Sequence, residues 1–165
     1  MEQSQPIKTV SAIIIVLIIL VGAYLLFAKY GVPGGVNQEE SLNGNQEPMV
    51  VEVIETPVVN GTLSTPTGFP QDIPIENGNI TESTTTNYPE QNAQQLSLSY
   101  QSSQSVDSIY TAYMNYMSQA GYEITEGDAS LPVRALFGTT ADANLTVAIS
   151  SMEDQTLVQI SYLVK

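Results

Sequence analysis

The chain has no cysteine, no histidine and no tryptophan, and only four basic residues stand against 17 acidic ones. Without cysteine there is no disulfide, no thiol-linked lipid and no zinc site of the Cys/His type. A lipoprotein needs a cysteine after its signal, so any anchor must be the polypeptide itself. Without histidine, Ser-His-Asp and Cys-His nucleophile chemistry is excluded. The net charge of −13 repels phosphate backbones and anionic headgroups, so nucleic-acid binding is not expected. Charged residues make up only 13 % of the chain, against ~25 % in an average protein. Solubility therefore rests on Ser, Thr, Asn and Gln.

Charge is missing altogether from Val10 to Ala28, where the sequence from Ala12 reads AIIIVLIILVGAYLLFA between Lys8 and Lys29. A bilayer core is ~30 Å thick and a helix needs ~20 apolar residues to cross it. The run predicts a single transmembrane helix over residues 10–28, behind a short tail of residues 1–9. A signal h-region is shorter, ~7–15 residues, and ends at small residues. Val21-Gly22-Ala23 offers such a site, but Leu25, Leu26 and Phe27 carry the run past it, so a retained anchor is expected. Lys8 and the terminal amine favour the N-terminus inside, while Lys29 opposes them. The balance predicts a single-pass plasma-membrane protein with its C-terminal domain outside.

Residues 29–67 are punctuated by Val32-Pro33-Gly34-Gly35, Pro48, Pro57, Asn60-Gly61 and Pro66, and their charges are mostly Glu. This composition reads as a disordered acidic tether. At ~5–6 Å × √n the tether holds the C-terminal domain ~30–35 Å from the membrane. Met49-Val50-Val51-Glu52-Val53-Ile54 is less bland, with strong β propensity. One reading is a spare edge strand or sticky linker, gated by Glu47, Glu52 and Glu55. The other is a docking strand that adds to a partner's sheet, which makes Val51 and Val53 candidate partner contacts.

From Gly68 the pattern is that of a folded domain, residues 68–165. Gly68 to Ile75 is expected to be extended, because Pro70 and Pro74 restrict their preceding residues. Asn77-Gly78 signals a turn. The Thr-rich run Asn79 to Asn87 is an open strand candidate. Leu96, Leu98 and Tyr100 alternate with serines, as in a half-buried strand. Ser105 to Ala120 predicts a helix with Ser105 as cap and Gly121 as its left-handed stop. Its apolar face holds Val106, Ile109, Tyr110, Tyr113, Met117 and Ala120. Four more strand candidates lie beyond the helix: Tyr122–Glu126, Pro132–Phe137, Leu145–Ile149 and Val158–Val164. The expectation is α+β: one helix packed on a mostly antiparallel sheet of about five strands, in two layers.

Few residues suggest chemistry. Tyr110, Tyr113 and Tyr116 can line a sugar or peptide site, but core packing explains the first two better, leaving Tyr116 the helix tyrosine expected at a surface. Asp128, Asp142 with Asn144, and Glu153 with Asp154 lie in predicted turns. Asp142-Ala143-Asn144 imitates two positions of a calcium loop without its glycine or distal glutamate. Arg134 can receive a carboxylate, or neutralise an acid near a sheet edge. Asn60, Asn79 and Asn144 open N-glycosylation sequons. No catalytic residue, cofactor or metal site is expected.

The opening Pro70-x-Asp72-x-Pro74-Ile75-x-x-Gly78, a helix with Tyr110 or Tyr113, and the step Gly121-Tyr122 resemble small domains of uncharacterised membrane-anchored and lipoprotein-like prokaryotic envelope proteins. The resemblance spans about residues 68–165 and departs at Tyr122, where such proteins use tryptophan. It implies an envelope location and an α+β fold, and no catalytic residue. The sequence thus points to a non-catalytic, membrane-tethered interaction module that binds a protein or envelope component. A structural accessory acting by self-association is the alternative, with a carboxylate-dependent hydrolase behind it. The possible partner contacts are Val51, Val53, Tyr116 and Arg134.

Overall fold

The computed structural model describes residues 51–59, 61–76 and 80–165. One α-helix lies on one face of an antiparallel sheet, the α+β arrangement expected, but the sheet has seven strands rather than five. In chain order these are β1 (Glu52–Glu55), β2 (Ile80–Tyr88), β3 (Ala93–Ser102), then helix α1 (Val106–Gln119), then β4 (Glu123–Glu126), β5 (Val133–Thr139), β6 (Ala143–Met152) and β7 (Gln155–Val164). Their spatial order is β1-β2-β3-β7-β6-β5-β4. Two meanders therefore meet at β3 and β7, and α1 carries the chain from the centre of the sheet to its far edge.

The two additional strands are β1 and β2. β1 lies within the stretch read as tether. Its side chains are exposed, so it carries no burial pattern to distinguish it from linker. β2 fills the Thr-rich run, where threonine suits a pleated surface without marking a core face. The segment 66–76 departs from the extended expectation: it turns at residues 67–68 and 71–72. Its prolines lack the N–H groups a ladder needs, and Phe69 N–H closes back on Pro66 O at 3.1 Å. The predicted anchor, residues 10–28, lies outside the described residues. Among the described residues no helix is long and apolar enough to cross a membrane.

Helix α1 begins where Ser105 Oγ accepts the Ser108 N–H, with Asp107 in the first turn. It ends as Tyr122 N–H reaches back to Met117 O at 2.9 Å and Gly121 takes φ +78°. That six-to-one closure demands a left-handed residue, which glycine supplies. Ile109, Tyr113 and Met117 are buried and Val106, Tyr110, Met114 and Tyr116 partly so, whereas Ala120 is exposed. The apolar stripe thus runs out before Ala120. Its buried residues meet Leu96, Leu98, Leu136, Leu145, Val147, Ile149, Val158 and Ile160 in one core cluster. Burying each such side chain contributes ~1.5–3 kcal/mol.

Helix α1 covers β4, β5 and β6. Segment 66–76 adds Phe69 and Ile73 to the same core, Phe69 through a tilted ring contact with Tyr162 at 6.4 Å. The segment is pinned from the helix by two phenols three residues apart. Tyr113 Oη donates to Pro74 O, and Tyr116 Oη donates to Asp72 Oδ2 at 3.0 Å.

Candidate functional site

The four residues singled out in the sequence fall in three separate places. Val51 and Val53 lie at the β1 edge, Arg134 on β5, and Tyr116 on α1. Five strand spacings separate β1 from β5 in the sheet order, which at ~4.8 Å per spacing is ~24 Å. The four do not form one site.

Arg134 is bound into the domain. Its Cζ sits 4.0 Å above the Tyr110 ring centroid, and its Nη1 is 3.4 Å from Asp107 Oδ1. The Tyr110 hydroxyl in turn donates to Glu126. The acid that Arg134 pairs with is thus on the helix, in its first turn. The Asp107 side chain is 88 % exposed, so the ion pair is screened and contributes little. The stack on Tyr110 is the firmer contact.

Tyr116 is half-buried, and its hydroxyl is engaged by Asp72. Burial, more than the Asp72 hydrogen bond or charge, holds its phenol well above the ordinary range. Its ring lies 6.3 Å from Tyr122, which rests directly over Gly138: a Cβ there would come within 2.8 Å of Tyr122 Cδ1. Tyr113 is buried deeper and raised further by burial, with Tyr100 Oη donating to its oxygen at 3.0 Å. These phenols act as fasteners between α1, β3 and segment 66–76.

The β1 edge is different. Nine large hydrophobic residues are exposed among the described residues, and five of them, Val51, Val53, Ile54, Val58 and Val59, cluster here at 42–64 % exposure. Thr56 N–H donates to Ser83 O at 2.9 Å, and β1 pairs with β2 from Glu52↔Asn87 to Glu55↔Thr84. Alternation along an antiparallel ladder then turns the N–H and C=O of Val51, Val53 and Glu55 away from β2, toward the free edge. Glu52 is held by Asn87 Nδ2 at 3.2 Å, and Gln94 donates to Asn87 at 3.0 Å. The opposite edge, β4, is protected in the usual way, with Glu123, Thr125 and Glu126 exposed and α1 packed beside it. Ile54 belonged to the aliphatic run read from Met49, whereas Val58 and Val59, set beyond Pro57, were not singled out in the sequence.

Two shallow depressions accompany these surfaces. One of about 220 Å³ lies by Asn87, Pro89, Gln94 and Val164, and one of about 170 Å³ lies by Ile75, Glu76, Gln104 and Tyr113. Both fall short of the ~300–1,000 Å³ of small-molecule sites. Among the described residues no group of three or more carboxylates is placed to hold a metal ion. Asp142 lies in the β5–β6 turn and Asn144 in the first part of β6, opposite Thr139, where its Oδ1 is buried without a hydrogen-bond partner among the described residues. Asp128 is capped locally instead: the Ser130 N–H and hydroxyl donate to it and lower its pKa. Asn60 and Asn79 lie outside the described residues. No family model, curated protein or solved structure matches the chain.

Proposed function

We propose that the chain is a non-catalytic, membrane-tethered interaction module. It presents its α+β domain on the outer side of the plasma membrane, where it binds a protein or envelope component. The apolar run at residues 10–28 supports the tether. The observation that carries the binding role is the β1 edge: among the described residues no strand pairs with its outer side, and five exposed aliphatic side chains lie on or next to it in the chain. Such an edge is a template for another strand.

A photo-crosslinking residue placed at Val51 in the full chain, in membranes of the source cell, tests this. The expected result is one discrete adduct that disappears when Val53→Pro removes an outward N–H. That substitution leaves the β1–β2 hydrogen bonds in place. A crosslinker at Thr111, on exposed helix surface, gives no such adduct. Adducts of equal yield at both positions, or insensitive to Val53→Pro, contradict the proposal.

A further inference from the structure

We infer that the β1 edge accepts a basic-flanked apolar strand, of the type Lys-φ-φ-Lys with φ aliphatic, and that it rejects a second copy of itself. The inference rests on the proposed docking role of this edge and adds the chemistry of the partner.

The four β1 residues read Glu52-Val53-Ile54-Glu55. A strand laid against the free edge sets one residue opposite each of them, with side chains at ~4.5–5.5 Å. Aliphatic residues opposite Val53 and Ile54 cover one exposed side chain on each face of the sheet. The flanking positions then face Glu52 and Glu55, where a cation compensates the carboxylate best as water is displaced. Among the described residues no ion pair reaches Glu52 or Glu55. The basic residues among those described are Arg134, engaged on β5 with Tyr110 and Asp107, and Lys165, whose Nζ donates to Thr140 O at 2.9 Å. The partner must bring the charge.

Self-pairing fails on geometry. A twofold edge-to-edge pair is antiparallel and must set outward-pointing residues opposite outward-pointing ones. The axis therefore passes through a β1 residue. With the axis at Val53, Glu52 faces Ile54 of the second copy and Glu55 faces its Val51. With the axis at Ile54, Glu55 faces Val53. With the axis at Glu52 or Glu55, that glutamate faces its own copy. Each register desolvates a carboxylate against an aliphatic chain or against another carboxylate. The glutamates thus select against homodimers while leaving the edge open to a cationic strand.

Amide NMR of the full chain in detergent micelles tests the inference with two short acetylated and amidated peptides, one carrying Lys-Val-Val-Lys and the other Glu-Val-Val-Glu. The basic peptide is expected to shift the amides of Val51, Val53 and Glu55 and to weaken as salt is raised. Glu52→Gln with Glu55→Gln should weaken it roughly fivefold, the scale of two cross-strand charge pairs. The acidic peptide should leave these amides unmoved. Equal binding of both peptides overturns the charge selection and leaves the docking role standing. Edge amides that shift with protein concentration alone assign the surface to a second copy, and amides protected at every concentration assign it to a segment of the same chain; both overturn the inference. Silence to both peptides with a positive Val51 crosslink also overturns this partner chemistry alone. Silence together with a failed crosslink removes the docking role as well.

Discussion

Tyr113 is the residue whose loss is felt farthest, because one hydroxyl links three elements. It accepts from Tyr100 on β3 and donates to Pro74 O from helix α1. Tyr113→Phe leaves the buried Tyr100 hydroxyl and the half-buried Pro74 carbonyl short of a bond, and should cost ~1–3 kcal/mol by denaturant unfolding. The pH dependence has a definite sign. Burial raises the Tyr113 phenol above its ordinary value of 10.0, so the folded chain keeps a proton that the unfolded chain releases. That stabilisation is complete below pH 10.0 and declines as pH rises above it toward the folded-state value. Tyr113→Phe should therefore be less stable at neutral pH and lose stability less steeply on the alkaline side. Gly138 is a second sensitive position. A Cβ there meets the Tyr122 ring at 2.8 Å, so Gly138→Ala should cost ~1–3 kcal/mol. A double-mutant cycle with Tyr122→Ala should recover part of that cost. A purely additive cycle would show that the ring yields freely. The sequence exposed half of this picture. Helical spacing placed Tyr110 and Tyr113 on the core side of α1. Nothing in one dimension shows that Asp72 and Pro74 are the anchor points of Tyr116 and Tyr113, 44 and 39 positions away.

Elements with a repeating burial pattern were the most legible, and β4, exposed except at Ile124, was read from sequence alternation instead. Helix α1 was readable from cap to stop because Ser105, the Ile109-Tyr113-Met117 stripe and Gly121 each have a local physical cause. The strands β6 and β7 were readable because Leu145, Val147, Ile149, Val158 and Ile160 alternate into the core. β1 has no inward apolar residue to announce it; its pairing with β2 is a tertiary fact. The candidate surface was legible only as an ambiguity between spare edge strand, sticky linker and docking strand, since exposure of Val53 and Ile54 depends on which strand lies beside them. Among the turns, Glu153 between β6 and β7 sits at φ +44°, a left-handed conformation that disfavours a residue bearing a Cβ. Glu153→Gly should stabilise the hairpin by ~0.5–1 kcal/mol, read as a raised thermal midpoint. No change would mean that the residue gains locally what its backbone conformation costs.

For the molecule as a whole, charge and position matter most. The acids outnumber the bases by 13, and the exposed aliphatic edge is flanked by Glu52 and Glu55. On the proposed reading, such a chain would resist indiscriminate association with nucleic acid and anionic lipid while keeping one surface available to a cationic partner. A tether shortened to residues 29–50 would hold that surface at an r.m.s. distance of ~23–28 Å from the end of the anchor, raising its effective concentration for partners held at the same membrane. The proposed role is therefore positional: the domain would stand outside the membrane and work by contact. Proteinase protection on intact cells, with a tag placed after Lys165, reads that position. The tag should be digested from outside while the membrane is still sealed. A tag protected until the membrane is broken would contradict the proposed role and put the domain on the inner side.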